Sequence, residues 1–271
     1  MPDAPFRDNV VVVTGASAGI GAEVARQLAR QGAWLALAAR DGARLEEVAA
    51  ECRAAGARAI AVPTDVGEEA RCRALIERTV AEYGRIDTLV NNAGIGMWAR
   101  FDEMTDLAPF ERIMRINYLG SVWCTYFALP HLKKTRGRIV GISSLTGKTG
   151  VPTRSGYAAS KHAMAGFFDS IRIELEDDGV SVTMIYPGFV ATEIRERALG
   201  PDGRPLGAGN SPVREREVMT VEECARQTIA AAAARRRELI MTARGKIGWA
   251  LKLIAPRVVD RIAKKAIEQG K

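Results

Sequence analysis

The sequence has little that could hold a metal or a disulfide framework. Its four cysteines, Cys52, Cys72, Cys124 and Cys224, are far apart and form no CxxC pair. Neither a disulfide framework nor a zinc site is expected, and the thiols read as reduced and structural. His131 and His162 are the only histidines, too few for a histidine metal site, so no metal is expected. No apolar run approaches the roughly 20 residues needed to cross a bilayer. Residues 1–8 lack a basic-then-apolar signal pattern, so the chain reads as cytoplasmic. Repeats and low-complexity tracts are absent too, beyond an Ala230 to Ala234 run that reads as helix.

What is there is an ordinary globular composition, 271 residues with 47% hydrophobic and 26% charged. That excludes a disordered or collagen-like chain and allows one α/β domain. The net charge of +7 is unevenly spread: residues 235–271 carry 11 basic and 3 acidic side chains, the rest 28 and 29. The body is neutral and the tail is basic.

Short apolar runs at Val10 to Val13, Trp34 to Ala39, Ala59 to Pro63, Thr88 to Asn91, Arg138 to Ser143 and Val182 to Pro187 read as strands. Helix-length segments separate them. Continuous apolar strands imply burial on both faces, so the pattern predicts a doubly wound α/β domain with a parallel sheet. Residues 1–244 are assigned to this domain and 245–271 to a basic C-terminal extension. Residues 193–218, with a Gly- and Pro-rich stretch from Glu193 to Pro212, are expected to form a lid over the site. A helix is expected from about Val221 to Arg235.

The turn after the first strand reads Thr14-Gly15-Ala16-Ser17-Ala18-Gly19-Ile20-Gly21. Glycines at 15, 19 and 21 permit a tight turn and close approach of a pyrophosphate to the amides opening the next helix. A glycine pattern alone is weak; its place between a buried strand and an amphipathic helix points to dinucleotide binding. The second strand ends at Arg40, 19 residues beyond Gly21. An acid there would meet a ribose 2′-hydroxyl, whereas an arginine can pair bidentately with a 2′-phosphate, which favours NADP(H) over NAD(H). Asp41, next to it, could oppose that phosphate, and a solvated surface arginine is the plainer alternative.

Together, Thr14 to Gly21, Asn91-Asn92-Ala93-Gly94, Ser144, Tyr157-x-x-x-Lys161 and Pro187-Gly188 resemble the short-chain dehydrogenase/reductase family in order and spacing. The resemblance covers residues 8 to about 192. It implies a Rossmann-type domain with a seven-stranded parallel sheet and a homodimer or homotetramer. It also implies that Asn92, Ala93 and Gly94 support the sheet beside the adenosine ribose, that Asp65 and Val66 contact adenine, and that Ser17, Ala18 and Ile20 line the phosphate turn. Pro187, Gly188, Val190 and Thr192 would receive the carboxamide and phosphates.

Tyr157 and Lys161 are four apart and share one face of a helix expected to run to about Glu176. A neighbouring ammonium would favour the phenolate of a tyrosine whose ordinary pKa is about 10. Ser144 follows a strand and would hydrogen-bond the substrate oxygen as charge develops there. By resemblance Lys161 also binds the nicotinamide ribose. Asn117 matches the family asparagine that bends a helix and holds a water, so the implied proton route runs from the carbonyl through Tyr157, ribose and Lys161 to that water. Asn117, Ser144, Tyr157 and Lys161 are the candidate catalytic set.

Ile95-Gly96-Met97-Trp98, Leu145, Val151, Pro152 and Phe189 supply mainly apolar surface, with Arg154 and Ser155 as polar options. Such a pocket suits a hydrophobic ketone, aldehyde or secondary alcohol. The alternative within enzymes is an NAD-preferring hydroxysteroid-type dehydrogenase, and a non-catalytic NADP(H)-binding sensor or scaffold is the reading from another class. In the tail, Ile247, Ala250, Leu251 and Ile254, then Val258, Val259, Ile262 and Ala266, follow helical spacing on either side of Pro256. The two basic amphipathic helices predicted there either dock on protein or lie on an anionic membrane surface. The tail resembles that of membrane-associated reductases of the eleven-beta-hydroxysteroid and dehydrogenase/reductase member-seven types. No aromatic platform or reader motif accompanies the charge, so nucleic acid is not an expected partner.

Overall fold

The computed structural model describes residues 4–207 and 218–268, with the side chains of 266–268 left aside. Strands β1 (Val10–Thr14), β2 (Trp34–Ala39), β3 (Arg58–Pro63), β4 (Thr88–Asn91), β5 (Arg138–Ile142), β6 (Ser181–Tyr186) and β7 (Glu238–Ile240) form one parallel sheet in the order β3-β2-β1-β4-β5-β6-β7. The run Val10 to Val13 shows why these strands read as unbroken apolar segments. Val11 and Val13 face one core and Val10 and Val12 the other, all four at 0% exposure.

The first core lies under α1 (Gly19–Ala29), α2 (Gly42–Ala54) and α7 (Val221–Ala233). The second lies under α3 (Glu69–Tyr83), α5 (Gly120–Thr135) and α6 (Ser155–Glu174). Helices therefore cover both faces, as buried parallel strands require. All four cysteines are buried and free.

The chain order reverses between β1 and β4, which opens a crevice beyond the carboxyl ends of the strands. The turns after β1, β4, β5 and β6 all face it. The seventh strand is the element that residue patterns did not mark. Three residues, preceded by Arg235-Arg236-Arg237, are too few to show a period, and only pairing with β6 defines them.

Before α5, helix α4 (Ala108–Ile113) passes into a π-helical turn, Met114–Leu119. The tail forms α8 (Ala243–Ile254) and α9 (Pro256–Glu268), divided at Pro256. Helix α8 rests on the body at Gly245, where a Cβ would lie 2.6 Å from Leu145 Cδ2, and through Lys252 Nζ donating to the Lys148 carbonyl at 2.9 Å. Ile247, Leu253, Ile254, Val258 and Ile262 remain exposed. Of the expected lid, residues 208–217 lie outside the described residues. The part before them is tied down: Trp98 N–H donates to Leu199 O and Leu199 N–H to Gly96 O, at 2.9 and 3.0 Å.

Candidate active site

The turn after β1 is left-handed at Gly15 and Gly19, with φ of 67° and 56°, a conformation that needs glycine. At Gly21 the requirement is space, because a Cβ there would press on the Gly15 carbonyl oxygen and lie 2.5 Å from Asn92 Nδ2. The Asn92 side chain donates to the carbonyls of Thr14 and Gly15, at 2.9 and 3.1 Å. Thr14 Oγ1 in turn accepts from the amides of Asn92 and Ala93. These bonds fasten the glycine turn to the end of β4, so the helix α1 amides open onto a fixed cradle. Thr192 approaches from above, its Cγ2 3.1 Å from where a Gly19 Cβ would stand.

At the end of β2, Arg40 is exposed. Asp41 is engaged as the N-cap of α2, accepting from Arg44 N–H at 3.1 Å. Its carboxylate therefore serves the helix end. Asp65 accepts from Gly67 N–H at 2.9 Å, closing a turn just beyond β3.

The π turn puts Asn117, 0% exposed, against the loop after β4. Its Oδ1 accepts from Ile95 N–H at 2.8 Å, and its Nδ2 donates to Ile95 O and Ser160 Oγ at 3.0 and 2.9 Å. The amide thereby joins that loop to α6, the helix that carries Tyr157 and Lys161. Close packing sets α6 against the loop after β5: a Cβ at Gly147 would stand 2.5 Å from Ser143 Oγ and 2.9 Å from Lys161 O. Ser144 and Tyr157 line the same cleft, where Ser144 Oγ accepts from Thr146 N–H at 3.2 Å.

Burial raises the Tyr157 phenol above its ordinary value, opposed by the nearby Ser144 hydroxyl and by the charge of Arg154. Lys161 is 3% exposed, and burial pulls its ammonium down to about 8. Its Nζ donates to Ile142 O at 2.8 Å and lies 5.8 Å from the Tyr157 ring centroid. The four-residue interval puts both side chains on one face, with the ammonium bonded to the end of β5. Arg154 is a further cation whose charge lowers the phenol.

Tyr157, Lys161, Ser144, Asn92, Gly94, Ile20, Pro187, Gly188, Val190 and Thr192 line one open cleft, as do Trp98, Arg154, Phe189 and Arg195. A phenol and a hydroxyl placed together at its floor can donate to, or accept from, one oxygen atom.

A profile of the short chain dehydrogenase family matches residues 9–200. The chain belongs to the short-chain dehydrogenase/reductase family. Its relatives include the 11-beta-hydroxysteroid dehydrogenase-like 4A protein of Arabidopsis thaliana, 43% identical over 182 residues, 67% of this chain and 60% of that one. The chain thus spans about three fifths of the length of such plant relatives. The dehydrogenase/reductase SDR family protein 7-like of Dictyostelium discoideum is 33% identical over 270 residues, 97% of this chain and 83% of that one. A short-chain dehydrogenase/reductase from Burkholderia phymatum in complex with NAD superposes with a TM-score of 0.83 at 26% identity, covering 94% and 96% of the two chains. An alcohol dehydrogenase from Thermococcus sibiricus complexed with 5-hydroxy-NADP gives 0.72 at 27% identity, covering 86% and 95%.

In this short-chain dehydrogenase/reductase the candidate residues divide by place. Ile20 of the glycine turn, Asn92, Gly94, Ser144, Tyr157, Lys161, Pro187, Gly188, Val190 and Thr192 line the cleft, whereas Gly15, Ser17, Ala18, Gly19, Gly21 and Ala93 are not among its lining residues. Asn117 stands behind it, Asp65 and Val66 follow β3, and Arg40 lies at the outer end of β2. His162 is exposed, its Nδ1 2.9 Å from the Ala158 carbonyl. Arg195 is the cleft residue that sequence reasoning missed, because charge in a Gly- and Pro-rich segment reads as solvated surface.

Proposed function

We propose that this member of the family is an NADP(H)-preferring carbonyl reductase or alcohol dehydrogenase with Tyr157 as general acid/base. The observation that carries the reading is the half-buried Tyr157 phenol lining one cleft with Ser144 and Lys161. A phenol raised by burial is protonated at neutral pH, which is the form that gives a proton to a carbonyl oxygen. Ser144 donates to the same oxygen as charge develops on it.

The cradle fits a dinucleotide: Gly15 and Gly21 let the turn close tightly on Asn92 and Ala93, and the turn leads into the N-terminus of α1, where an anion is favoured. Ser17, Ala18, Ile20, Asn92, Ala93, Gly94, Asp65, Val66, Pro187, Gly188, Val190 and Thr192 complete the proposed binding set. When bound, the nicotinamide supplies or accepts the hydride. Lys161 holds a proton within the buried floor, and Asn117 positions the loop and helix between which that proton moves. Arg40 takes the 2′-phosphate, since Asp41 is occupied as a helix cap.

The substrate is a hydrophobic ketone or aldehyde, or the matching secondary alcohol; the hydroxysteroid-type names of the relatives support a lipophilic one. A homodimer or homotetramer has apolar surface available at the exposed Tyr126 and Ile173, on α5 and α6. The exposed apolar face of α8 and α9, flanked by lysine and arginine, suits contact with a membrane surface.

A panel of carbonyl compounds, followed by NADPH absorbance, tests the reading. Tyr157→Phe is expected to lower reduction by about 10²- to 10⁴-fold with NADPH affinity held within about twofold. Substantial turnover in that variant rejects the role. Tight NADPH binding with no carbonyl reduced supports the sensor reading instead. In the same assay Arg40→Ala should raise the KM for NADPH roughly tenfold, the loss of one charge-assisted bond, and leave that for NADH nearly unchanged; equal effects reject the 2′-phosphate assignment.

A further inference from the structure

Among the described residues the surface arginines near the cleft have partners. Glu193 takes Arg44 in a two-bond pair at 3.0 and 3.1 Å, and also Arg197. Arg195, between them in sequence, turns the other way. Its guanidinium carbon lies 5.0 Å from the Phe189 ring centroid, and its Nη2 is buried without a partner. Arg154 also stands over that ring, its guanidinium carbon 5.3 Å from the Phe189 centroid and 4.1 Å from that of Trp98. Its Nε and Nη2 are likewise buried and unpartnered. Neither arginine has a carboxylate within ion-pair distance among the described residues.

The aromatic contacts explain how the cations are held. A ring attracts the face of a guanidinium, whereas the guanidinium donates hydrogen bonds in its own plane. Stacking on Trp98 and Phe189 therefore fixes Arg154 and leaves its fork of donors free. Burial draws the Arg154 guanidinium down to about 10, and the charge of Arg195 adds to that pull, so each cation makes the other more costly until an anion joins them. The backbone supports the same placement. Thr153 sits at φ 67°, a strained value for a β-branched residue, and its carbonyl is held by Ala99 N–H at 2.8 Å. The strained residue is the one that immediately precedes Arg154, at the mouth of α6.

The geometry points to an oxyanion site in the substrate cleft: Arg154 and Arg195 grip a carboxylate or phosphate carried by the carbonyl substrate, while Trp98 and Phe189 pack its apolar part. This rests on the hydride-transfer reading above and narrows it. The fork of a guanidinium matches two oxygens of either anion. Arg154 is three residues before Tyr157 and close enough for its charge to act on the phenol, so the anion and the reacting carbonyl belong to one molecule. The substrate is then an amphiphile with an acidic end, not a wholly apolar ketone.

The test uses the full chain saturated with NADP+, so that the cofactor's own phosphates are seated. Calorimetric titration with 4-phenylbutyrate, phenyl phosphate and methyl 4-phenylbutyrate compares two anions with a neutral ester. At least one anion is expected to bind about tenfold or more tighter than the ester, the size of one charge-assisted bond. Which anion wins identifies the headgroup. Arg154→Met and Arg195→Met should each collapse that ratio towards one.

Reduction of 5-oxo-5-phenylpentanoate against its methyl ester gives the matching kinetic ratio, expected to fall mainly through KM in both variants. An ester that binds as well as both anions overturns the site, and so does a ratio that survives both substitutions. The two readings fail separately. Anion binding without reduction of any carbonyl contradicts hydride transfer and keeps the oxyanion site. Equal reduction of acid and ester, with equal binding, keeps the reductase and removes the site.

Discussion

The two sides of the cleft treat their polar groups in opposite ways. On the side of β1 and β4, Thr14, Asn92 and Asn117 are bonded to backbone of neighbouring loops, and their job is complete before anything binds. On the side of Trp98 and Phe189, two half-buried guanidiniums keep buried donors unspent, Nε and Nη2 of Arg154 and Nη2 of Arg195. A satisfied buried polar group stabilises the fold; an unsatisfied buried charge costs stability and is retained where a ligand can satisfy it. The first side is scaffold, and the second holds uncompensated charge in readiness. The floor lies between these extremes, since Lys161 has a carbonyl partner but no counterion among the described residues.

Substitutions on the two sides should therefore change stability with opposite sign. The largest effect belongs to Asn117→Leu, which strands Ile95 N–H and Ile95 C=O and removes the donor to the Ser160 hydroxyl. A loss of about 2–4 kcal/mol is expected by denaturant unfolding, and a loss under 0.5 kcal/mol would show that the π turn stands without the amide. Arg154→Met should go the other way, raising the stability of the ligand-free protein by about 1–3 kcal/mol, because a buried cation without a partner is replaced by an apolar chain.

Lys161→Met is the smaller test, with a gain of about 1–2 kcal/mol at pH 7, reduced by the stranded Ile142 carbonyl. Here the sign also depends on pH. The folded ammonium titrates near 8 and the ordinary value is 10.5. The unfolded chain therefore binds the extra proton between those limits, and wild-type stability rises with pH across that window. The advantage of Lys161→Met should shrink from pH 8 upward, and a gap independent of pH would mean that the lysine titrates alike in the folded and unfolded chain.

How far each side could be read from sequence follows from the same contrast. The scaffold side depends on backbone conformation and close approach, so it demands particular residues at particular places. Gly15, Gly19, Gly21 and Asn92 were legible for that reason, as were the valines of β1. The oxyanion side depends on where chain segments distant in sequence come to rest. Arg154 looked like one polar option among several, and Arg195 like solvated charge, because burial of an arginine is decided by Trp98 and Phe189, 56 and 6 residues away from them at their nearest ring contacts. Spacing put Tyr157 and Lys161 on one helix face but could not say where the flexible lysine would point; Ile142 decides that. Strand β7 was hidden by its shortness, and the bend at Asn117 was reachable only through family likeness, since no proline or glycine marks the helix there.

The central claim is that uncompensated charge beside Tyr157 is kept for a ligand. Thermal unfolding of the wild type and Arg154→Met, each saturated with NADP+, with and without the tighter-binding of 4-phenylbutyrate and phenyl phosphate, tests it most directly. The variant is predicted to melt higher than the wild type without the anion and to lose that lead when the anion is present. A wild type that already melts higher without the anion, or a lead that the anion leaves untouched, would contradict it.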